Sequence, residues 1–361
     1  MSHDPAPVRV ALIGCGRHAG FCLHPSLPFV PQLRPVAVCD LDETKARATA
    51  ARYGIPAVFT DTGRMLAAED PEAAIVAGPG AMNHELGLAC LAHGCHLFVE
   101  KPQALSPVGA RQLAEAAERR GLVTLVGHNQ RHSPAMRIAW DIVADPAFGA
   151  PTVVFSKYCG AIPTSPFWGL TPLVRGLLYF QSVHGVDTLR FFGGGLHSVF
   201  ARQVTKIEVP AGGPVSVLLE FASGANGFLD LNTATPYFQM RTFVAGSAAT
   251  SVEVLDLDSV THLEPPAAFR QRGLIAPETQ APGYHHPVPA FTWKMPRYYP
   301  MEIAYGYVNE LAAFAAAIRG GPPVRANLWD GYETLVTVEA IARSLAERRP
   351  VPLEEIRQDL G

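Results

Sequence analysis

Short apolar runs alternate with Ala-rich helical stretches through the first third of the chain. Val8–Ile13, Pro35–Cys39, Ala73–Ala77, His96–Val99 and Leu122–Val126 are apolar runs that stop at Gly or at an acidic residue. Glu43–Tyr53, His84–His93 and Pro107–Arg120 lie between them with helical character. Continuous apolar strands separated by helices predict a parallel sheet covered on both faces.

The rhythm changes near residue 130. Ser133–Ala144 reads as a helix, Thr152–Tyr158 as a strand and Leu177–Phe192 as an apolar helix. Strand-like runs follow at Ser198–Ile207, Val215–Phe221, Ala225–Asn232, Arg241–Ala245 and Thr250–Leu255. Val215, Val217, Leu219 and Phe221 alternate with Ser216, Leu218 and Glu220, the period of a strand with one buried face. Such a series predicts a mainly antiparallel sheet with one helix-covered side. Residues 264–300 are rich in Pro and aromatics and read as a long ordered loop or arm. Glu302–Ile318 and Trp329–Arg348 close the chain as amphipathic helices. The expected fold is α/β: a dinucleotide-binding domain over 1–129, then an α+β domain over 130–361 with a large open sheet. The last helices are expected to pack back on the first domain. A chain of 361 residues suits two domains.

Composition narrows the function classes. Hydrophobic residues make up 48% and charged residues 17%, enough apolar mass for a sizeable core and too much for disorder. A net charge of −3 offers no basic surplus for phosphates, so nucleic acid is not an expected partner. No apolar run reaches membrane-spanning length, and the N-terminus lacks the pattern of a secretion signal. A cytoplasmic protein is expected. Six cysteines form no CxxC pair and His285-His286 has no third ligand in evidence, so no metal site is expected. Lysine occurs only at 45, 101, 157, 206 and 294. A lysine inside a motif is therefore informative.

Three clusters carry candidate chemistry. Gly14-Cys15-Gly16-Arg17-His18-Ala19 fits G-x-G-x-x-A directly after the first strand. Glycines there allow close approach to a pyrophosphate at a helix N-terminus. Asp40 ends the next strand, 21 residues past Ala19, where a carboxylate accepts from ribose hydroxyls and repels a 2′-phosphate. NAD is thus favoured over NADP, although Arg17 and Arg47 lie nearby. Glu100-Lys101-Pro102 ends the fourth predicted strand, the edge where open α/β sheets bind ligands. Lys101 there either stabilises developing alkoxide charge or is a turn lysine paired with Glu100. His184 and Asp187 share one face of the apolar helix, either as site residues or as satisfied core polars.

These segments resemble the Gfo/Idh/MocA family of glucose–fructose oxidoreductase and inositol dehydrogenase relatives. The resemblance runs through ALIGCGRHA (11–19), VAVCDLDETKA (36–46), GPGAMNHE (78–85), HLFVEKPQAL (96–105), GHNQRHSP (127–134), VHGVDTLRFFGG (183–194), LEFASGANG (219–227) and GYVNELAAFAAAIRGGPPV (306–324). It implies NAD(P)-linked oxidation or reduction at a hydroxyl-bearing carbon of a sugar or cyclitol. It also implies a dimer or tetramer built through the open sheet. By resemblance Lys101 and His184 are the catalytic pair, with Pro79, His84, Glu100 and Lys101 near the cofactor. The glycine motif adds Gly14, Gly16, Arg17, His18 and Asp40 to the expected cofactor residues, and Asn129 at the domain junction meets cofactor or substrate. Lys101, Gln181, His184 and Asp187 are expected to line the substrate, and the aromatic rings of Tyr158 and Trp168 either join them or pack in the core.

One position departs from the inositol dehydrogenase pattern D-x-G-x-H-x-x-D. Phe180 stands where the first Asp belongs, and Ser182 replaces the Gly. A carboxylate there would orient the imidazole, and Phe180 cannot. Asp187 either substitutes in part or pairs with Arg190. The expected activity is an NAD(H)-dependent oxidoreductase. Its rivals are a redox-neutral cycle with retained NAD, and a sensor without turnover.

Overall fold

A computed structural model of the chain describes residues 6–159, 167–207, 213–231, 238–264 and 289–360. Six parallel strands build the first sheet: β1 (Val8–Ile13), β2 (Leu33–Cys39), β3 (Ala57–Phe59), β4 (Ala73–Val76), β5 (His96–Val99) and β6 (Thr124–Val126). Their order is β3-β2-β1-β4-β5-β6. The order reverses between β1 and β4, so a crevice opens beyond the carboxyl ends of those strands. Helices α1 (Glu43–Tyr53), α2 (Thr62–Glu69), α3 (Gly80–His93) and α4 (Pro107–Glu118) cover the sheet. Asp42 caps α1 by accepting from the amides of Thr44 and Lys45, and Gly54 ends it in the left-handed region. The helix after the glycine turn is irregular, a π-turn at Ala19–Leu23 followed by a 3-10 stretch at His24–Phe29. Pro25 and Pro28 lack the amide protons a regular α-helix requires there.

After α5 (Pro134–Ala144) the chain enters a nine-stranded sheet. Its strands are β7 (Pro151–Cys159), β8 (Leu196–Gln203), β9 (Val215–Phe221), β10 (Asn226–Leu231), β11 (Gln239–Gly246), β12 (Ser251–Leu255), β13 (Ser259–Leu263), β14 (Pro289–Lys294) and β15 (Val351–Pro352). Only the β7·β10 pair is parallel among the described residues. Val217 and Leu219 point to one face and pack with Val186, Leu189, Val338 and Ile341. Leu218 and Phe228 stand exposed on the other face. The Pro-rich stretch read as a loop contributes β14; its residues 265–288, including His285-His286, lie outside the described residues.

The predicted apolar helix comes as α6 (Leu173–Leu177), a π-turn at Leu178–Ser182, and α7 (Val183–Gly193). Helices α8 (Met301–Ala304), α9 (Tyr307–Ile318), α10 (Leu328–Glu347) and α11 (Leu353–Asp359) follow. Leu311 and Phe314 of α9 enter the core under the first sheet with Val10, Ile75 and Phe98. Leu328 at the start of α10 joins the core on its opposite face. Among the described residues no helix is long and apolar enough to cross a membrane.

Candidate active site

Gly14 sits at φ +97°, and a Cβ there would lie 2.2 Å from the carbonyl oxygen of Ala77. The turn between β1 and β4 therefore accepts only glycine. A Cβ on Gly16 would meet nothing within 4 Å, so that turn faces open space. Asp40 at the tip of β2 accepts from the amides of Cys15 at 2.7 Å and Asp42 at 2.8 Å. A cleft of about 420 Å³ borders Gly14, Asp40, Leu41, Thr62 and Met82. Its lining includes Asp40, Asp61 and Glu85 and no basic side chain among the described residues. Arg17 is exposed, and Arg47 is tied to Glu43. An open glycine turn beside a carboxylate-lined cleft fits the pyrophosphate and ribose of a dinucleotide.

Glu100 is buried at the end of β5. One oxygen meets His18 Nε2 at 3.0 Å and the other accepts the Lys101 amide at 3.0 Å. The Glu100 carboxylate pushes the His18 imidazole up to about 10, so His18 is charged at neutral pH. Gly127 makes room for this carboxyl, because a Cβ there would lie 2.8 Å from its carbon.

Lys101 extends toward the second domain. Its Nζ donates to the Phe180 carbonyl at 3.2 Å and lies 4.9 Å from the centre of the Phe180 ring. Burial pulls the ammonium below its ordinary value, against the pull of Glu100. The π-turn carrying Phe180 widens the helix where Lys101 docks, a frequent feature of functional sites. Phe167 and Trp168 pack on Phe180 with ring centres 4.3 and 5.8 Å away, forming an aromatic wall. Gln181 is half-buried on the same π-turn.

His184 is buried on α7 and stacks on Tyr158 at 5.4 Å and 15°. Its Nδ1 is buried without a hydrogen-bond partner. Burial holds the imidazole well below its ordinary value, and the positive charge of Lys101 adds to the effect. Both effects favour the neutral imidazole.

Other residues expected at the site have protein partners or surface positions of their own. Asp187 does not pair with Arg190, which lies 3.6 Å from Glu333. Arg131 binds both Asp187 oxygens instead, because the turn after β6 presents its planar fork to the carboxylate. His84 Nε2 lies 2.9 Å from Gln112 on α4. Asn129 donates its side-chain amide to the Tyr305 carbonyl at 2.8 Å. Pro79 is exposed at the start of α3. Asn83, which the sequence reading passed over, joins the two loops of the crevice. Its Oδ1 accepts from Gly78, and its Nδ2 donates to the carbonyls of Glu100 and Pro102 at 2.9 and 3.1 Å. Among the described residues no group of three His, Cys, Asp or Glu side chains could hold a metal ion.

Known proteins carry the same two-part plan. Residues 8–128 match the profile described as oxidoreductase family, NAD-binding Rossmann fold. Residues 163–353 match that of the oxidoreductase family C-terminal alpha/beta domain. The inositol 2-dehydrogenase of Rubrobacter xylanophilus is 28% identical, over 99% of this chain and 96% of that protein. The D-apiose dehydrogenase of Paraburkholderia graminis is 27% identical, over 97% of this chain and 90% of that protein. A crystal structure of a dehydrogenase from Chromobacterium violaceum superposes with TM-score 0.83 at 26% identity, covering 96% of this chain and 97% of that one.

Proposed function

From the premise that this chain belongs to the Gfo/Idh/MocA oxidoreductase family, we propose that it is an NAD-dependent dehydrogenase of a sugar or cyclitol, with Lys101 and His184 managing the reacting hydroxyl. One observation carries the reading: Lys101, at the carboxyl end of β5, reaches the Phe180 carbonyl at 3.2 Å, four residues before buried His184 on the same helical run. When bound, NAD supplies the hydride acceptor or donor at its nicotinamide. Gly14, Gly16 and the start of the following helix would hold its pyrophosphate, and Asp40 its ribose hydroxyls. The acidic cleft disfavours a 2′-phosphate, which supports NAD over NADP.

Lys101 polarises the substrate oxygen and stabilises it as an alkoxide. His184 accepts the hydroxyl proton in oxidation and returns it in reduction. Glu100, braced by charged His18, holds the Lys101 backbone. Trp168 and Tyr158 offer ring faces to the apolar side of a sugar, while Gln181 offers hydrogen bonds at its edge. The exposed apolar face with Leu218 and Phe228 supports a homodimer or homotetramer through the second sheet. The relatives are dehydrogenases, which lends no support to a redox-neutral cycle or a turnover-free sensor.

The test assays purified protein with NAD or NADP against a panel of inositols, aldoses and their derivatives. The expected result is reduced NAD accumulating one for one with oxidised product. Product formed with no net reduced NAD, or binding without turnover across the panel, would overturn the proposal.

A further inference from the structure

A further buried imidazole faces α7, the helix that carries His184. His128 follows β6, is 2% exposed, and neither of its ring nitrogens has a hydrogen-bond partner. Buried polar atoms are rarely left this way without a functional reason. The other orphan is Nδ1 of His184, three residues before Asp187 on the same face of α7. His128 Nε2 faces the Asp187 carboxylate of α7 at 3.7 Å. The other charges acting on His128 are Arg131 on the adjoining turn, Asp330 on α10 and Lys101 after β5. A ring that only filled space would need no nitrogen here, and each unpaired nitrogen is costly.

Position 180 explains the need. A catalytic imidazole works best when a second group fixes which nitrogen carries its proton. Phe180 gives Lys101 a carbonyl and a ring face but gives His184 no such group. Resting on the reading of His184 as proton acceptor, we infer that His128 is the positioning residue that sets the tautomer of His184, linking its Nδ1 side to Asp187. The Asp187 carboxylate draws the His128 proton to Nε2. This leaves His128 Nδ1 as acceptor for the Nδ1–H of His184, directly or through one water. The lone pair of His184 Nε2 is then free for the substrate proton. When the hydroxyl O–H bond breaks, that proton goes to His184 Nε2. The imidazolium so formed keeps its Nδ1–H directed at His128. The 3.7 Å separation from Asp187 closes by a small ring shift or a bridging water, as such contacts do on substrate binding.

The test records nitrogen-15 imidazole spectra of the full-length protein loaded with NAD, with His184 assigned by comparison with His184→Gln. Wild type is expected to hold His184 in the Nδ1–H tautomer. His128→Phe keeps the ring shape and is expected to return His184 to the ordinary tautomer mixture. With whichever polyol turns over, kcat is expected to fall roughly 10- to 100-fold and KM for NAD to stay unchanged. His128→Asn, which keeps an acceptor, should restore part of both, and His128→Leu takes the place of His128→Phe if that variant does not fold. An unchanged His184 tautomer in folded His128→Phe, or in folded His128→Leu, would overturn the inference. The spectra need no turnover. A tautomer shift together with an active Lys101→Met enzyme would sink the proposed chemistry and leave the positioning role standing.

Discussion

Arg131 holds Asp187 through two parallel hydrogen bonds, Nε to Oδ2 at 2.8 Å and Nη2 to Oδ1 at 2.7 Å. Both side chains are almost fully buried. The pair ties the turn after β6 to α7, the helix that carries His184. Removing one partner leaves the other charge stranded, which costs about 3–5 kcal/mol. Arg131→Met should therefore lower the denaturant midpoint sharply. Arg131→Met with Asp187→Leu should recover much of that loss. Equal midpoints for wild type and the single variant would refute this account of the pair.

Lys101→Met keeps most of the side chain's bulk and removes the ammonium. The expected outcome is a loss of about 10²–10³-fold in kcat, the usual cost of one transition-state donor. NAD affinity, read by fluorescence quenching, should hardly move. Wild-type turnover in this variant would remove Lys101 from the chemistry.

The His18–Glu100 pair predicts a pH signature. The folded imidazole is raised to about 10, above its ordinary value of 6.5. The pair's contribution to stability is therefore full below about pH 6.5 and fades as pH rises toward 10. The Tm gap between wild type and His18→Gln should be wide at about pH 6 and nearly closed at about pH 10. A gap constant across that range would contradict the pairing.

Glu310 on α9 has no accessible surface, and neither carboxyl oxygen has a hydrogen-bond partner. Burial, reinforced by Glu100, raises its pKa well above the usual carboxylate range. The folded state thus holds a proton that the unfolded chain releases near pH 4.5, and stability falls as pH rises above that value. Glu310→Gln removes this penalty. Its Tm advantage over wild type should grow between about pH 5 and pH 8. No growth with pH would mean that Glu310 is ionised in place.

Gly14→Ala combines a left-handed φ with a 2.2 Å clash against backbone. Unlike a clash with a flexible side chain, this one has no easy escape. The variant should melt lower and lose NAD binding together. Gly16→Ala meets no protein atom and should keep its Tm while binding NAD more weakly. Calorimetry of both variants with and without NAD separates the two effects.

The long apolar strands of the first sheet were legible because each is buried on both faces and ends in a recognisable turn. Strand β3, half-buried where the equally short β6 is fully buried, and the eight-residue α2 did not stand out in the pattern. Lys101 and His184 could be picked out from local motifs. Their surroundings could not, because each depends on a distant partner. Arg131 reaches Asp187 across 56 positions, and Lys101 reaches Phe180 across 79. Asn83 and His128 carried no local signal either, since the bonds of Asn83 to two loops and the unpartnered burial of His128 are both properties of packing. Phe180 read as a deficit in one dimension. In three it supplies the carbonyl and ring that hold Lys101.

Phe98 of β5 meets Phe314 of α9 edge-on at 6.2 Å, and Val126 of β6 donates its amide to the carbonyl of Ala326 at 2.8 Å. The cofactor domain thus borrows one wall from residues translated some two hundred positions after its own last strand. During synthesis its sheet waits with an apolar face exposed while strands β7 to β14 leave the ribosome. The nascent chain has to be shielded over that interval, and a fragment cut near residue 130 would expose the same face permanently.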